Sequence, residues 1–279
     1  MNKRIPFYKI SGSGNDFILI DNRQGIVRDA VLEQLIVGAC RRRMSAGADG
    51  LILIEESHQT DFRWRFYNAD GSRAEMCGNG ARCAARFAHL RGIAGPKLSF
   101  ETDVGRISAE IIGDRVKIGM TEPGGLRLDQ SLNLEETSCD YDFINTGVPH
   151  VVVVSQDVEV VDVFHMGRLI RYHDAFAPAG TNVNFVQRLD RQEIAVRTYE
   201  RGVEDETLAC GTGCVAAALV TALKHGWVSP VDVLTRSGGI LRISFERRDT
   251  VFSDVYLEGD ARIIYDGMLW EEAWRSQYA

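Results

Sequence analysis

Two cysteines in this chain stand in the same local sequence, Met76-Cys77-Gly78-Asn79-Gly80 and Ala209-Cys210-Gly211-Thr212-Gly213. After each motif the chain turns Ala-rich and helix-forming, from Ala81 to Arg91 before Gly92 and from Cys214 to His225 before Gly226. A thiol just ahead of a helix faces unpaired backbone N–H groups and the positive end of the helix dipole. Its pKa is therefore expected below the usual value of about 8.5. The glycines leave those amides open to a ligand carboxylate. Moving a proton across an amino-acid α-carbon needs a base on one face and an acid on the other. One ionised and one protonated thiol meet that need and exchange roles in the reverse reaction. Without an electron sink, the carbanion depends on preorganised amide dipoles in a water-poor site.

A pyridoxal cofactor would require a Schiff-base lysine. The lysines are Lys3, Lys9, Lys97, Lys117 and Lys224, none of them within either motif, so no cofactor is expected. Cys40, Cys83, Cys139 and Cys214 have no partner motif and read as packing or incidental residues. The chain contains no Cys-x-x-Cys pair, and His58, His89, His165, His173 and His225 show no metal-ligand spacing, so no metal is expected.

The elements that must hold the thiols repeat between the two halves. Phe62 to Asn68 alternates aromatic and charged residues like a half-buried strand before Cys77, and Ile194 to Glu200 alternates similarly before Cys210. Further strand-like runs are Phe17 to Asp21, Leu51 to Glu55, Leu98 to Glu101, Arg106 to Met120, Val151 to Ser155, Thr181 to Gln187 and Ile240 to Phe245. This layout predicts two α/β units, each a sheet around one apolar helix, with a boundary near the Pro/Gly cluster Thr121-Glu-Pro-Gly-Gly125. A ligand is expected where the halves meet.

The chain has 279 residues, enough for two domains, and a formal charge of −7. Arg41 to Arg43 is its only basic run, so nucleic acid is not an expected partner. No apolar run approaches the roughly 18 residues of a membrane span, and Met1 to Lys9 leads into no signal-like apolar stretch. The cytoplasm is the expected location. Two rival readings stay open. Gly211-x-Gly213-x-x-Ala216 with Asp232 downstream has the outline of a dinucleotide-binding turn, and two activated thiols also suit a redox exchanger.

Six ordered segments carry a family resemblance: Gly12-Ser-Gly-Asn-Asp-Phe17, Phe66-Tyr-Asn-Ala-Asp-Gly71, Met76-Cys-Gly-Asn-Gly-Ala-Arg82, Gly180-Thr-Asn-Val-Asn184, Tyr199-Glu-Arg-Gly202 and Ala209-Cys-Gly-Thr-Gly213. Together they resemble diaminopimelate epimerases. The resemblance implies two pseudo-symmetric α/β domains, each a curved, mostly antiparallel sheet around a central helix, with the active site in the cleft between them. Residues 1–121 with about 262–279 would form one domain and 122–261 the other. The implied activity is interconversion of LL- and meso-diaminopimelate, by a homodimer whose only ligand is the amino-acid substrate. Cys77 and Cys210 match the acid–base pair, and Gly78, Asn79, Gly211 and Thr212 match the cradle for the reacting carboxylate. Asn15, Asn68, Asn182 and Arg201 match positions that recognise the substrate's polar groups. Glu200 and His150 match residues that hold the amine and tune the thiols. At two positions the chain departs from some members, with Gly50 where they carry Gln and Val148 where they carry Asn.

Overall fold

The computed structural model describes residues 4–74, 76–134 and 137–275. The chain forms two compact units, one of residues 1–118 and 260–279 and the other of residues 119–259. Residues 1–3 and 276–279, which fall in the expected first domain, lie outside the described residues.

The first unit contains β1 (Ile5–Gly12), β2 (Asn15–Asp21), α1 (Asp29–Cys40), β3 (Gly50–Glu55), β4 (Phe62–Asn68), α2 (Gly78–Leu90), β5 (Lys97–Thr102), β6 (Gly105–Ile112) and β7 (Arg115–Gly119). The second contains β8 (Gly124–Leu134), β9 (Thr137–Asn145), β10 (Pro149–Val154), α3 (Val163–Arg171), β11 (Asn182–Asp190), β12 (Glu193–Glu200), the short β13 (Asp205–Thr207), α4 (Gly211–His225), β14 (Val231–Thr235), β15 (Ile240–Arg248) and β16 (Val251–Asp260). The last strand, β17 (Arg262–Leu269), returns to the first unit and pairs antiparallel with β1.

The sequence repeat extends to the strand pairing. The first unit runs β17-β1-β2-β3-β4-β5-β6-β7, and the second runs β8-β9-β10-β11-β12-β14-β15-β16. In both, the β2–β3 and β10–β11 pairs are parallel, as are β4–β5 and β12–β14, and every other neighbour is antiparallel. The parallel pairs are bridged by helices, as a parallel crossover requires. Each sheet is thus mixed and mostly antiparallel.

One helix per unit lies inside its sheet. The first contacts strands from both ends of its sheet, β1 to β3 and β6, and the second contacts β9 to β12, β14 and β15. Small side chains permit this. Ala81, Ala84, Ala85 and Ala88 of α2 are fully buried, as are Ala216, Ala217, Ala218 and Ala222 of α4. The α4 helix is apolar nearly all round, has no solvent face and must be enclosed, whereas α2 is enclosed with its charged Arg82 fully buried. By contrast α1 and α3, which the repeat around the cysteines did not predict, pack outside. Leu32, Leu35 and Ile36 of α1 join Leu51, Leu53 and Trp274, and Val163 and Ile170 of α3 join Val183 and Tyr199.

Two local expectations are corrected. Both central helices begin earlier than the Ala-rich runs suggest, because each Gly-x-Gly is itself the first helical turn. The amides of a first turn have no intrahelical acceptor, so glycine's poor propensity matters least there. The run from Arg106 to Met120 is a hairpin, turned at Gly113 with φ +63, and not one strand. No helix among the described residues is long and apolar enough to cross a membrane.

Candidate active site

In the first unit Cys77 is the N-cap of α2, and its half-buried Sγ accepts a hydrogen bond from the Gly80 amide at 3.4 Å. Gly78 and Asn79 form the start of the helix. Asn79 is buried and its amide is held at both ends: Nδ2 donates to Asn15 Oδ1 at 2.7 Å, and Oδ1 accepts from Arg82 Nη2 at 2.9 Å. Asn15 in turn donates to Asp49 Oδ2 at 3.0 Å, and Asp49 is held by Arg42 at 2.7 Å. Arg82 is fully buried and also donates to Ser13 Oγ at 2.7 Å and to the Asp260 carbonyl at 3.2 Å. A continuous chain of polar contacts thus runs from Arg42 through Asn15 and Asn79 to Arg82, under the first turn of α2. Asn68 is not part of it. It sits exposed at the end of β4, opposite Gly50, and donates to Ser72 Oγ at 3.0 Å. A Cβ at Gly50 would stand 2.6 Å from the Tyr67 carbonyl and 2.8 Å from the Phe66 ring. A side chain as large as Gln has no room in this packing.

The second unit places Cys210 at the N-cap of α4, nearly buried at 6% exposure. Its Sγ lies 3.5 Å from the Thr212 hydroxyl, and its thiol hydrogen-bonds the Glu200 carboxyl at the end of β12. Burial pushes the Cys210 thiol well up from its ordinary value, the Glu200 charge adds to this, and the Thr212 hydroxyl and Gly213 amide only partly oppose it. The expected lowering at a helix N-terminus is therefore overturned for Cys210, because lost solvation and a neighbouring carboxylate outweigh the dipole. Burial likewise pushes Glu200 up.

His150, Asn182, Glu200 and Arg201 gather around the same end of this sheet. His150 and Asn182 are register partners on β10 and β11. Asn182 is buried, donates to the Pro149 carbonyl at 3.1 Å and accepts from the Arg201 amide at 2.9 Å, so it braces the turn that carries Arg201. The Arg201 guanidinium donates to the Ala179 carbonyl at 3.2 Å. The Thr212 carbonyl accepts from Thr146 Oγ1 at 3.0 Å. His150 is fully buried, and burial holds its ring neutral, with its pKa lowered to about 3. Its Nε2 is buried with no hydrogen-bond partner among the described residues.

One residue of each unit escapes the sequence as a site residue, Arg82 in the first and Asn184 in the second. Both were inside recognised motifs. The available signal for Asn184 was strand periodicity, since Asn182 and Asn184 share one face of an otherwise apolar strand. Among the remaining thiols, burial pushes Cys40 up to about 12 and raises Cys83 and Cys139 as well, leaving them unreactive. The dinucleotide reading fails on the fold. The sheet is mostly antiparallel, and Asp232 is clamped by Arg242 through two contacts of 2.8 Å.

Comparison with known proteins places this geometry. Residues 7–124 and 143–264 match the diaminopimelate epimerase family. The diaminopimelate epimerase of Aquifex aeolicus (strain VF5) is 48% identical over 280 residues, covering 96% of this chain and 99% of that protein. That of Chlorobaculum tepidum is 43% identical over 265 residues, covering 93% and 99%. In fold, the chain is similar to a PhzF-family phenazine biosynthesis protein of Bacillus anthracis, with TM-score 0.74 at 14% identity, covering 96% of this chain and 99% of that one. A hydroxyproline epimerase from Agrobacterium vitis, solved with bound trans-4-hydroxy-L-proline, gives 0.69 at 15% identity, covering 98% and 94%. By its sequence kinship over nearly its whole length, the chain is an epimerase of the diaminopimelate epimerase family.

Proposed function

We propose that this protein interconverts LL- and meso-diaminopimelate without a cofactor, with Cys77 and Cys210 as the two proton carriers. The observation that carries the reading is the equivalence of the two thiols. Each is the N-cap of the one enclosed helix of its unit, in units that share strand order and sense.

The chemistry follows from that placement. One sulfur removes the α-proton while the other supplies a proton to the opposite face, and the reverse reaction exchanges their roles. The backbone N–H groups at the starts of α2 and α4 are the donors that would face the reacting carboxylate, where negative charge grows as the α-carbon loses its proton. Glu200, half-buried and with its carboxyl pKa raised at rest, ionises more readily beside an arriving ammonium group, which ties substrate binding to the state of Cys210. Asn15 and Asn68 in the first unit, with Asn182 and Arg201 in the second, recognise the polar groups of a substrate that carries two amino-acid centres.

The test is incubation of the purified protein with LL-diaminopimelate in heavy water, resolving stereoisomers and mass together. The expected result is meso product carrying deuterium at the inverted centre. Inversion without solvent label, or no inversion, would contradict the proposal.

A further inference from the structure

Asn184 is completely buried on β11, with its NH2 group and its carbonyl oxygen both engaged. Its Nδ2 lies 2.8 Å from the Val151 carbonyl and 3.2 Å from His150 Nδ1, and its Oδ1 accepts from the Thr198 hydroxyl at 3.0 Å. The orientation of this amide is fixed by chemistry. A carbonyl can only accept, so the atom facing Val151 must be the NH2 group. An NH2 group can only donate, so His150 Nδ1 must be the unprotonated, accepting nitrogen. The ring hydrogen of the neutral imidazole then sits on Nε2, the buried nitrogen that has no partner among the described residues. A buried donor without an acceptor is costly, and in a binding site it marks the place of an acceptor that arrives with a ligand.

The neighbourhood is built to keep Asn184 there. A Cβ at Gly213, three residues after Cys210, would stand 2.2 Å from Asn184 Oδ1. The second glycine of the Cys-Gly-x-Gly motif is what lets this amide lie under the first turn of α4. At Gly80, the matching position in the first motif, a Cβ would meet nothing closer than 3.4 Å. The two motifs look alike and have different reasons for their last glycine.

We propose that Asn184 is the positioning residue that locks His150 as the Nε2–H tautomer, making His150 a fixed hydrogen-bond donor toward a carboxylate oxygen of the amino-acid substrate. A neutral imidazole in this tautomer has no lone pair on Nε2, so it cannot hold the substrate's ammonium group. This differs from the amine-holding role that the family resemblance implies. The tautomer half of the proposal stands on Asn184 alone, and the carboxylate half rests on the epimerase reading above.

Histidine-ring nitrogen spectroscopy of the 15N-labelled protein tests both halves. Long-range proton–nitrogen correlations distinguish the two neutral tautomers, and the signal missing from His150→Gln identifies His150. The wild-type ring is expected to be protonated at Nε2 and bare at Nδ1 at neutral pH, and a ring protonated at Nδ1 overturns the lock. In Asn184→Asp a carboxylate faces Nδ1 and accepts where the amide donated, so the hydrogen is expected to move to Nδ1, with kcat on LL-diaminopimelate falling at least about tenfold. An unchanged tautomer in this folded variant overturns the role of Asn184. Saturation of the wild type with meso-diaminopimelate should shift the Hε2 resonance downfield, and an unmoved resonance in the bound protein overturns the carboxylate assignment. Absence of epimerase activity in the wild type would sink the substrate reading and leave the tautomer result standing.

Discussion

Cys77 and Cys210 hold the same position on their helices and differ in what surrounds the sulfur. Cys77 is half-buried and receives the Gly80 amide, whereas Cys210 is nearly buried beside the Glu200 carboxyl, whose charge raises the thiol pKa further. Cys210 therefore rests as a thiol. Because the thiolate is the nucleophile, iodoacetamide at neutral pH should alkylate Cys77 before Cys210. Peptide mass spectrometry over time checks this, and faster labelling of Cys210 would contradict it. His150 gives a pH prediction. Its folded pKa of about 3 lies below the unfolded value of about 6.5, so acidification protonates the unfolded chain first. Its contribution to stability is complete above pH 6.5 and is lost progressively as pH falls toward 3, amounting to about 2 kcal/mol between pH 7 and 5. Urea denaturation at those two pH values should show that loss reduced in His150→Gln. An equal loss would mean that the ring is not held neutral.

At the scale of elements, the central helices are where sequence and structure agree best. Alanine content, a cysteine before each helix and a glycine after it predicted α2 and α4, and Gly226 closes α4 in the left-handed conformation at φ +64. The helices α1 and α3 were less legible, because nothing in the cysteine-centred repeat pointed to them and their buried faces are defined by distant partners such as Trp274 and Tyr199. The polar support of the site was legible only as motif letters. That Arg82 braces Asn79, or that Asp49 braces Asn15, depends on contacts spanning 3 and 34 residues respectively, and no local pattern encodes the second. Replacing Arg82 by Met keeps the apolar stem and removes the guanidinium, leaving the buried Asn79, Ser13 and Asp260 acceptors short of a donor. The expected cost is roughly 3 kcal/mol in urea denaturation, with a raised KM for diaminopimelate as Asn79 loses its anchor. A stable variant with unchanged KM would show that this chain of contacts does not position the site.

Over the whole molecule, the sequence repeat proved to be the visible part of a larger one. The strand order and the parallel or antiparallel sense match throughout both units, although their sequences resemble each other only near the cysteines. Pairing direction is set by connection type and by the hydrophobic pattern of many strands at once, which a pairwise look at two motifs does not reveal. The expected thiol pKa of Cys210 failed for a related reason. A helix end is a local feature, whereas burial of the sulfur and the placement of Glu200 are products of the folded unit. The two-thiol mechanism requires both helix N-caps to take part in one proton transfer. The most direct check is the rate at which Cys77→Ala and Cys210→Ala exchange the α-proton of diaminopimelate and invert it in heavy water, alongside circular dichroism to confirm folding. Each folded variant should lose inversion by at least about a hundredfold. Near-normal inversion by either one would contradict the two-thiol mechanism.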